Sequence, residues 1–501
     1  MRILALKSAV TLSLVSSLFL WLVQTGSAND LDPWISFQGQ QSLSRMFANI
    51  SPPGTAPGAV IASPSHQNPD YFFHWVRDSA LTMNVVVSLF EAPGSNHDRL
   101  LQILVNYVDF SRRNQMTANR SGPAGEGLGE PAFAVDGSPL NRDWGRPQND
   151  GPALRSITLI RLARILLAQG NGALVSAKLY DGKNPSMTVI KTDLDFLVRH
   201  WREPSFDLWE ETRGDHFYTE ITQRRALVEG AKLALQLGDP AAAQVYREQA
   251  ALIEAQVMAH WNPERGYFLA TLNANGGLAG KNSGLDVAVI LGVLHAIGDD
   301  GFLAPNNVMV LATAAHIEAS FNAIYPINQN HVDASGAALG AAIGRYPEDR
   351  YNGYATDQLG NPWVLATAAF AELYYRSAGS LARAPEIKVT PKSQGFLEAV
   401  LRARHSSLSA SKLISRNDPR FALVFSALRD KGDQYLRRIK FHANPDGSLS
   451  EEMDRNSGFM TGADNLTWSY ASFLTAVAQR PGAQAVVGIA PAYFSGRPLK
   501  H

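Results

Sequence analysis

Stretches with the hydrophobic period of an α-helix recur along almost the whole chain, many of them in consecutive pairs. Apolar residues fall at positions i, i+3, i+4 and i+7, and the alternation typical of a half-buried strand is scarce. A chain with this pattern has to bury one face of each helix against other helices, so the sequence predicts an all-α fold. The predicted helices cover residues 77–92, 98–113, 155–170, 221–239, 241–261, 283–298, 306–321, 361–378, 394–404, 419–443 and 465–480.

Two arrangements satisfy such a pattern, a closed toroid of helical hairpins and an open solenoid. The chain has no fixed repeat period, and this disfavours the solenoid. Glycines near the ends of helical stretches, such as Gly170, Gly238 and Gly298, are typical stop signals. Because no linker or change of composition marks an appended module, we expect residues 29–501 to form a single domain.

The first 28 residues have the pattern of a secretory signal peptide. Arg2 and Lys7 supply positive charge, an apolar stretch follows, and the small residues 26–28 fit a cleavage site. The apolar core is shorter than the ~20 residues of a membrane-spanning helix, so cleavage is favoured over an uncleaved anchor. We therefore expect a secreted or periplasmic protein that has no membrane contact after the signal peptide is removed.

Charge and composition exclude several function classes. The 45 basic residues are balanced by 45 acidic ones, whereas a nucleic-acid binder would show a basic surplus. The chain has no cysteine, so thiol catalysis and thiolate metal sites are excluded. It also has no phosphate-binding loop, no His-Glu-x-x-His metal motif and no Gly-x-Ser-x-Gly nucleophile motif. We expect neither a metal nor a cofactor.

The connections between helices are long and rich in Trp, Tyr, Arg, Asp and Gly. Long structured connections usually carry function. These connections are residues 66–78, 120–153, 202–220, 344–362 and 444–464.

One connection places three carboxylates, Asp207, Glu210 and Glu211, within five residues and among aromatic side chains. Like charges at this spacing repel, and burying any of them is costly. Burial raises the pKa of a carboxyl group, and a neighbouring carboxylate raises it further, as a general acid requires. On spacing alone, a solvated helix face with an incidental tryptophan is the simpler interpretation.

Another connection presents Glu451 and Glu452 shortly after the turn signal at residues 446–447. A carboxylate on such a loop could activate a water molecule, although spacing alone favours ordinary charged residues after a turn. Three more connections combine charged residues with rings or with Gly and Pro, which suits sugar binding by hydrogen bonds and stacking. They contain Trp75 with Arg77 and Asp78, Trp144 with Arg146 and Asp150, and Arg345 with Glu348 and Asp349. Asp78 could equally lie at the start of a helix because its negative charge interacts favourably with the helix dipole there.

Six blocks in this chain resemble, in the same order, those of the glucoamylases of glycoside hydrolase family fifteen. The blocks are FHWVRDSALTM, LGEPAFAVDG, DWGRPQNDGPALRS, DLWEE, GRYPEDRYNGY…GNPW and GSLSEEMDRNSGF…DNLTWSYASFLTA. The match runs from about residue 33 to residue 480. Six ordered blocks are far more specific than any one of them.

This resemblance implies an (α/α)6 toroid of six inner and six outer helices, with the active site among the loops at one end. It implies an exo-acting, inverting hydrolase that releases β-D-glucose from non-reducing ends of α-1,4-glucans and cleaves α-1,6 links more slowly. The expected partner is an α-glucan or maltooligosaccharide, and we expect a monomer. The alternatives are a glucodextranase or trehalase on the same scaffold, or a non-catalytic carbohydrate-binding protein.

By motif, Glu210 resembles the general acid of the family and Glu451 the general base. Asp207 lies where the family has an acidic residue that supports the acid, and some descriptions give that residue the base role. We prefer Glu451, because an inverting pair stands ~6.5–9.5 Å apart and Asp207 is only three positions from Glu210. The residues that resemble the substrate-binding set of the family are Tyr71, Trp75, Arg77, Asp78, Trp144, Glu211, Arg345, Trp363 and Trp468.

Two departures from the family pattern bear on substrate choice and pH dependence. Glu452 stands next to the expected base, where glutamine is common in the family, and adds a carboxylate there. The insertion at residues 354–359 lengthens a loop at the rim of the expected site. No starch-binding module is apparent, so soluble dextrins are expected as substrates rather than starch granules.

Overall fold

The structure is a computed structural model, and it describes residues 31–93, 97–184, 187–402, 404–408 and 412–480. The predicted signal peptide lies outside these residues. The helices are α1 (Leu31–Ala48), α2 (Val76–Glu91), α3 (His97–Gln115), α4 (Asp150–Ala168), the single turn α5 (Gly172–Leu174), α6 (Val189–His200), α7 (Phe217–Gln236), α8 (Pro240–Ala259), α9 (Ala288–His295), α10 (Val308–Ile324), α11 (Val364–Arg383), α12 (Pro391–Arg402), α13 (Pro419–His442) and α14 (Thr467–Ala478). A π-helical turn covers Val175–Leu179 and a 3-10 turn covers Pro326–Gln329.

The strands are short and lie within the connections. They are β1 (His74–Trp75), β2 (Ala132–Phe133), β3 (Ser205–Phe206), β4 (Thr212–His216), β5 (Trp261–Asn262), β6 (Tyr267–Phe268), β7 (Thr271–Gly277), β8 (Glu386–Lys388), β9 (Leu413–Ser415), β10 (Glu452–Met453) and β11 (Met460–Thr461). All pairings between them are antiparallel, in the orders β1-β2, β3-β4-β7, β5-β6, β8-β9 and β10-β11. These ladders fasten the connections to each other and do not form a sheet layer.

All the predicted helical stretches contain helices, although α9 covers only about half of its predicted stretch. The sequence pattern missed α1 and α6. Both helices have polar residues on their buried faces: Gln38 and Ser42 in α1, and Asp193 in α6, are fully buried. These polar residues interrupt the apolar period from which a helix is predicted.

Among the described residues, six helices pack side by side into a closed ring, in the order α2, α4, α7, α9, α11, α14 and back to α2. Each has an outer partner packed against it, which is α3, α6, α8, α10, α13 and α1, respectively. This closed ring is the predicted (α/α)6 toroid and not the open solenoid. None of the described helices combines the length and the apolar composition needed to cross a membrane.

The two ends of the chain close the ring. At the start of α14, the Thr467 backbone N–H donates to the Ala62 carbonyl at 2.8 Å. The Thr467 hydroxyl donates to the Ile61 carbonyl at 2.7 Å, and the Asn49 side-chain amide donates to the Thr467 hydroxyl at 2.8 Å. These buried bonds join segments that lie about 400 residues apart in the sequence.

Because an outer helix returns the chain between successive inner helices, the inner helices run parallel and begin at the same end of the ring. The five long connections singled out in the sequence each lead into an inner helix: α2, α4, α7, α11 and α14. The connections therefore gather at one end, around helix amino termini that carry partial positive charge. This arrangement is well suited to stabilising carboxylates.

A buried ion pair joins the inner ring to its outer layer and gives a test of the packing. Asp193 of α6 accepts hydrogen bonds from Arg155 of α4 at 2.6 and 2.8 Å and from Gln115 of α3 at 2.8 Å. We expect Asp193→Ala to lower the free energy of unfolding by about 3–5 kcal/mol, because it leaves Arg155 buried without a counter-ion. Urea denaturation measures this change.

The matched control is Glu126→Ala, which removes an exposed ion pair with Arg199. We expect a change of less than about 1 kcal/mol for this control. Equal losses of stability in the two variants would contradict the role given to the buried pair.

Candidate active site

A cavity of about 330 Å³ opens at the end of the ring where the inner helices begin. Its lining combines aromatic rings, two arginines and four carboxyl groups. The lining residues are Ala62, Tyr71, Trp75, Arg77, Asp78, Trp144, Leu208, Trp209, Glu210, Glu211, Arg345, Tyr351, Thr356, Trp363, Glu451, Leu466 and Trp468. The structure thus brings together all the predicted site residues except Asp207, which does not line the cavity.

The aromatic residues of the wall are fixed by the starts of inner helices and by ring contacts. Trp75 directly precedes α2 and pairs with Ala132 in the β1-β2 ladder. The Trp144 ring lies 4.9 Å from the Trp75 ring, measured between centroids. Trp363 directly precedes α11, and Trp468 lies in the first turn of α14 with the Arg77 guanidinium 5.9 Å from the centre of its ring.

Glu210 ends a tight turn in which its backbone N–H donates to the Asp207 carbonyl at 2.9 Å. Its φ of +67° lies in the left-handed region, which costs a residue with a side chain about 1–3 kcal/mol. Gly145 packs directly on this turn, since a Cβ at that position would lie 2.5 Å from the Glu210 carbonyl oxygen. The segment around Trp144 can therefore approach the turn only with glycine at position 145.

The Glu210 carboxyl group is largely buried, with 17% of its side chain exposed. Burial raises its pKa to about 7, and the charge of Asp78 adds to the rise. Arg77, 4.0 Å away, and a hydrogen bond from the Trp75 indole N–H at 2.6 Å act in the opposite direction. The group is consequently protonated in mildly acidic solution. The sequence predicted a contribution from adjacent carboxylates, but Asp78 is the carboxylate that contributes most.

Asp207 points away from the cavity, and its oxygens are committed to other partners. One oxygen accepts the backbone N–H groups of Glu211 at 2.8 Å and Thr212 at 3.2 Å. The other lies 2.7 Å from the Lys281 ammonium. Burial opposes ionisation, but Lys281 and these hydrogen bonds hold the pKa of Asp207 below its ordinary value. The interpretation of this cluster as a solvated helix face is wrong, because the segment is a buried turn.

Glu211 is held at the cavity wall by cations on two sides. Its carboxylate lies 2.9 Å from the Arg345 guanidinium and 3.0 Å from the Lys281 ammonium, and it accepts a 2.6 Å hydrogen bond from the Tyr346 hydroxyl. Arg345 also binds Asp349 through two hydrogen bonds of 2.6 and 2.8 Å. The repulsion expected among the three carboxylates is therefore largely offset at Asp207 and Glu211.

Glu451 enters the cavity from the connection before α14, and burial raises the pKa of its carboxyl group. It accepts a hydrogen bond from the Tyr351 hydroxyl at 3.2 Å, and that hydroxyl lies 2.9 Å from the Tyr71 hydroxyl. The Tyr71 ring in turn contacts the Trp75 ring edge-on at 5.4 Å, and Trp75 binds Glu210. An aromatic frame thus spans the wall between the two acids.

The extra carboxyl group of Glu452 lies beneath the wall, outside the cavity lining. It is fully buried, and one oxygen accepts a hydrogen bond from the Asn361 amide at 2.9 Å. The other oxygen has no hydrogen-bond partner within the described part of the chain. Burial, followed by the charge of Glu451, raises the pKa of Glu452 well above its ordinary value. This environment therefore favours the neutral form of Glu452.

Comparison with known proteins identifies this arrangement. The model of the family "Glycosyl hydrolases family 15" matches residues 40–478. The chain belongs to glycosyl hydrolase family 15. It is 39% identical to a glucoamylase of Blastobotrys adeninivorans, over 90% of this chain and 72% of that protein. It is 38% identical to glucoamylase 1 of Rhizopus oryzae, over 92% of this chain and 73% of that protein.

A solved structure shows the same fold in this family. The glucoamylase of Saccharomycopsis fibuligera superimposes with a TM-score of 0.82 at 32% identity, and the match covers 91% of this chain and 97% of that one. The prediction of a family 15 hydrolase, made from six ordered blocks, is confirmed.

The sequence patterns missed several residues that shape this family 15 site. Tyr351 and Trp209 line the cavity and lie inside blocks that had been singled out, so the blocks contained the signal. Lys281 and Asp286 lie in the connection before α9 and carried no such signal. Asp286 accepts hydrogen bonds from the Trp209 indole N–H at 3.0 Å, and burial raises the pKa of Asp286 to about 7.

The raised pKa of Glu210 makes a prediction about stability. The unfolded chain releases the proton near pH 4.5, whereas the folded chain keeps it up to about pH 7. The contribution of this group to stability is therefore fully present below pH 4.5 and is lost as the pH rises through 7. We expect the stability of Glu210→Gln relative to the wild type to rise by on the order of 3 kcal/mol from pH 4.5 to pH 8, at about 1.4 kcal/mol per pKa unit.

Urea denaturation of both proteins across this pH range measures the difference. Glu126→Gln, at an exposed ion pair, is the control and should show a difference that changes little with pH. A Glu210→Gln difference that stays constant with pH would contradict the assignment of a buried, neutral carboxyl group.

Proposed function

We propose that the protein is a secreted, exo-acting, inverting glucan 1,4-α-glucosidase of the glucoamylase type. It releases β-D-glucose from the non-reducing ends of soluble α-1,4-glucans such as dextrins and maltooligosaccharides, and it cleaves α-1,6 links more slowly. The observation that carries this proposal is that Glu210 and Glu451, remote in the sequence, line one small cavity. The glucoamylases among its relatives support the same substrate class.

Glu210 acts as the general acid. Its pKa of about 7 keeps the proton on the carboxyl group under mildly acidic conditions. As the bond between the anomeric carbon and the glycosidic oxygen breaks, Glu210 donates this proton to the leaving oxygen. Trp75 holds the carboxyl group in position through the hydrogen bond to its other oxygen.

Glu451 acts as the general base. It accepts a proton from a water molecule while the water oxygen forms its bond to the anomeric carbon from the opposite face, which inverts the configuration. Asp207 suits this role poorly, since both its oxygens are bound to Lys281 and to backbone N–H groups and it does not line the cavity.

The size and charge of the cavity favour the end of a glucan chain. About 330 Å³ lies at the low end of the ~300–1,000 Å³ range of ligand sites, a size that suits the end of a glucan chain. Arg77 with Asp78, and Arg345 with Glu211, present donors and acceptors to the hydroxyl groups of a terminal sugar. Arg77 is itself fixed by Asp150 at 3.0 Å and Gln148 at 2.9 Å.

The two acids provide the direct test of the mechanism. We expect Glu210→Gln and Glu451→Gln each to lower kcat on maltotetraose by ~10²–10⁴-fold, because each loses proton transfer in the transition state. Proton NMR of the wild-type reaction should show β-glucose first, before mutarotation. Asp207→Asn should retain more activity than either variant.

Three results would overturn these assignments. Near-full activity of Glu451→Gln together with inactivity of Asp207→Asn would transfer the base role to Asp207. Faster release of glucose from isomaltooligosaccharides or from trehalose than from maltooligosaccharides would replace the proposed substrate with that of a glucodextranase or a trehalase. Binding of maltotetraose without any turnover by the wild type would indicate a carbohydrate-binding protein.

The rim insertion offers a test of substrate contacts beyond the cleaved bond. Thr356, within the insertion, lines the mouth of the cavity. The neighbouring Tyr354 anchors this loop, because its hydroxyl accepts 3.2 Å hydrogen bonds from the Thr461 hydroxyl and from the Gly462 backbone N–H. We expect Thr356→Val to lower kcat/KM on maltotetraose about 2–10-fold, the value of one hydrogen bond, while Thr356→Ser retains wild-type kinetics. Identical kinetics for all three proteins would contradict a contact between this hydroxyl and substrate.

A further inference from the structure

A second cavity, of about 440 Å³, lies at the opposite end of the inner ring. All six inner helices contribute to its wall, mostly from their carboxyl-terminal halves. Its polar and charged lining residues are Asn84, Ser88, Arg161, Arg164, Arg225, Glu229, His295, Arg376, Thr475 and Gln479. None of the predicted active-site residues lines this cavity, so it is separate from the site proposed for glucan hydrolysis.

Positive charge predominates in the lining of this cavity. Among the described residues that line it there are four arginines and one carboxylate, Glu229. The wall has no Trp, Tyr or Phe ring on which a sugar could stack, in contrast to the active-site cavity. Guanidinium groups bind planar and tetrahedral oxyanions through paired hydrogen bonds. The chemistry of the wall therefore favours a small anion over a carbohydrate.

Part of this positive charge has a structural explanation. Cations are favourable near the carboxyl ends of helices, where the helix dipole is negative. Arg161 also binds Glu91 at 2.5 Å, and Arg376 binds Glu372 at 2.6 Å. These two arginines have counter-ions of their own, so they alone would not indicate a ligand.

Arg225 does not fit that explanation. Its Nη1 lies 3.0 Å from a Glu229 oxygen, but neither Nη1 nor Nε forms a hydrogen bond within the described residues. Glu229 is shared with Arg164, to which it is hydrogen-bonded, and with Lys232 at 3.1 Å. Asp299, 3.8 Å from the Arg225 Nη1, also pairs with Lys232, so these two carboxylates serve three cations. Burial outweighs the nearby carboxylates and lowers the pKa of Arg225.

A glycine, Gly298, leaves space for the Arg225 guanidinium. A Cβ at residue 298 would lie 1.8 Å from its Nη1, so the glycine at this position leaves the space that the group occupies. Only 11% of the Arg225 side chain is exposed. His295, beside it in the wall, accepts or donates a 3.0 Å hydrogen bond with the Tyr218 hydroxyl, and burial keeps it neutral by lowering its pKa to about 3. His295 therefore adds hydrogen-bonding capacity without adding charge.

We propose that this cavity binds a small oxyanion of the phosphate class, with Arg225 as its main ligand and Arg376 as a second one, through guanidinium N–H groups other than the Nε–H that binds Glu372. Arg161 and Arg164, each about one-third exposed, flank it at the solvent side. Such an anion supplies the acceptors that the Arg225 N–H groups lack. Its binding does not depend on the activity proposed for the other cavity.

The test measures binding of inorganic phosphate to the whole protein. Thermal unfolding and isothermal titration calorimetry are carried out at pH 7 with potassium phosphate, in a chloride background that keeps ionic strength constant. We expect saturable binding and a rise in Tm of a few degrees for the wild type. Glycerol phosphate in a parallel titration distinguishes a site for the free anion from one that also accepts a monoester.

The variants assign the binding to this cavity. Arg225→Gln and, separately, Arg376→Gln should weaken phosphate binding by about tenfold or more, as expected for the loss of a charge-assisted hydrogen bond. Arg199→Gln, at an exposed ion pair outside the cavity, should bind like the wild type. Absence of saturable binding to the wild type, or equal binding by the wild type and Arg376→Gln, would overturn the proposal. Arg376→Gln decides the question even if Arg225→Gln fails to fold.

Discussion

Closure of the inner ring is the constraint on which the rest of this structure depends. The start of α14 is fastened by buried hydrogen bonds to residues 61–62, so the last inner helix packs beside the first. Glu451 and Trp468 come from one side of this seam, and Trp75 and Arg77 from the other. The cavity that contains them has a complete wall only when the ring is closed.

The basic side chains around the cavity explain how it tolerates so many carboxyl groups. Against the effect of burial, Lys281 holds the pKa of Asp207 below its ordinary value, and Lys281 and Arg345 both lie within 3.0 Å of the Glu211 carboxylate. Glu210 and Glu451 lack such close cations, and burial raises the pKa of each. Burial beside a close cation and burial without one therefore have opposite effects on the pKa values of carboxyl groups around one cavity. The difference lies in which basic side chains the neighbouring connections supply.

The two ends of the ring are electrostatic opposites. Acidic side chains gather where the inner helices begin, and arginines gather where they end. Each is opposite in sign to the partial charge of the helix dipole at that end, so both arrangements are favourable. At the amino-terminal end the carboxyl groups exceed what the dipoles require, and they form the proposed catalytic site. At the carboxyl-terminal end Arg225 exceeds what its counter-ions neutralise, and this excess is the basis of the proposed anion site.

The sequence by itself determined the all-α class and most of the helices, because burial of one helix face leaves a local period in the chain. It also indicated which connections line the cavity, since their rings and charges stand out from the helices around them. Only the tertiary structure decided the environment of each acid. Asp207 meets Lys281, Glu210 meets Trp75, and α6 buries Asp193 against Arg155, through contacts between residues far apart in the sequence. Such contacts set pKa values and hide polar helix faces, and no local pattern records them.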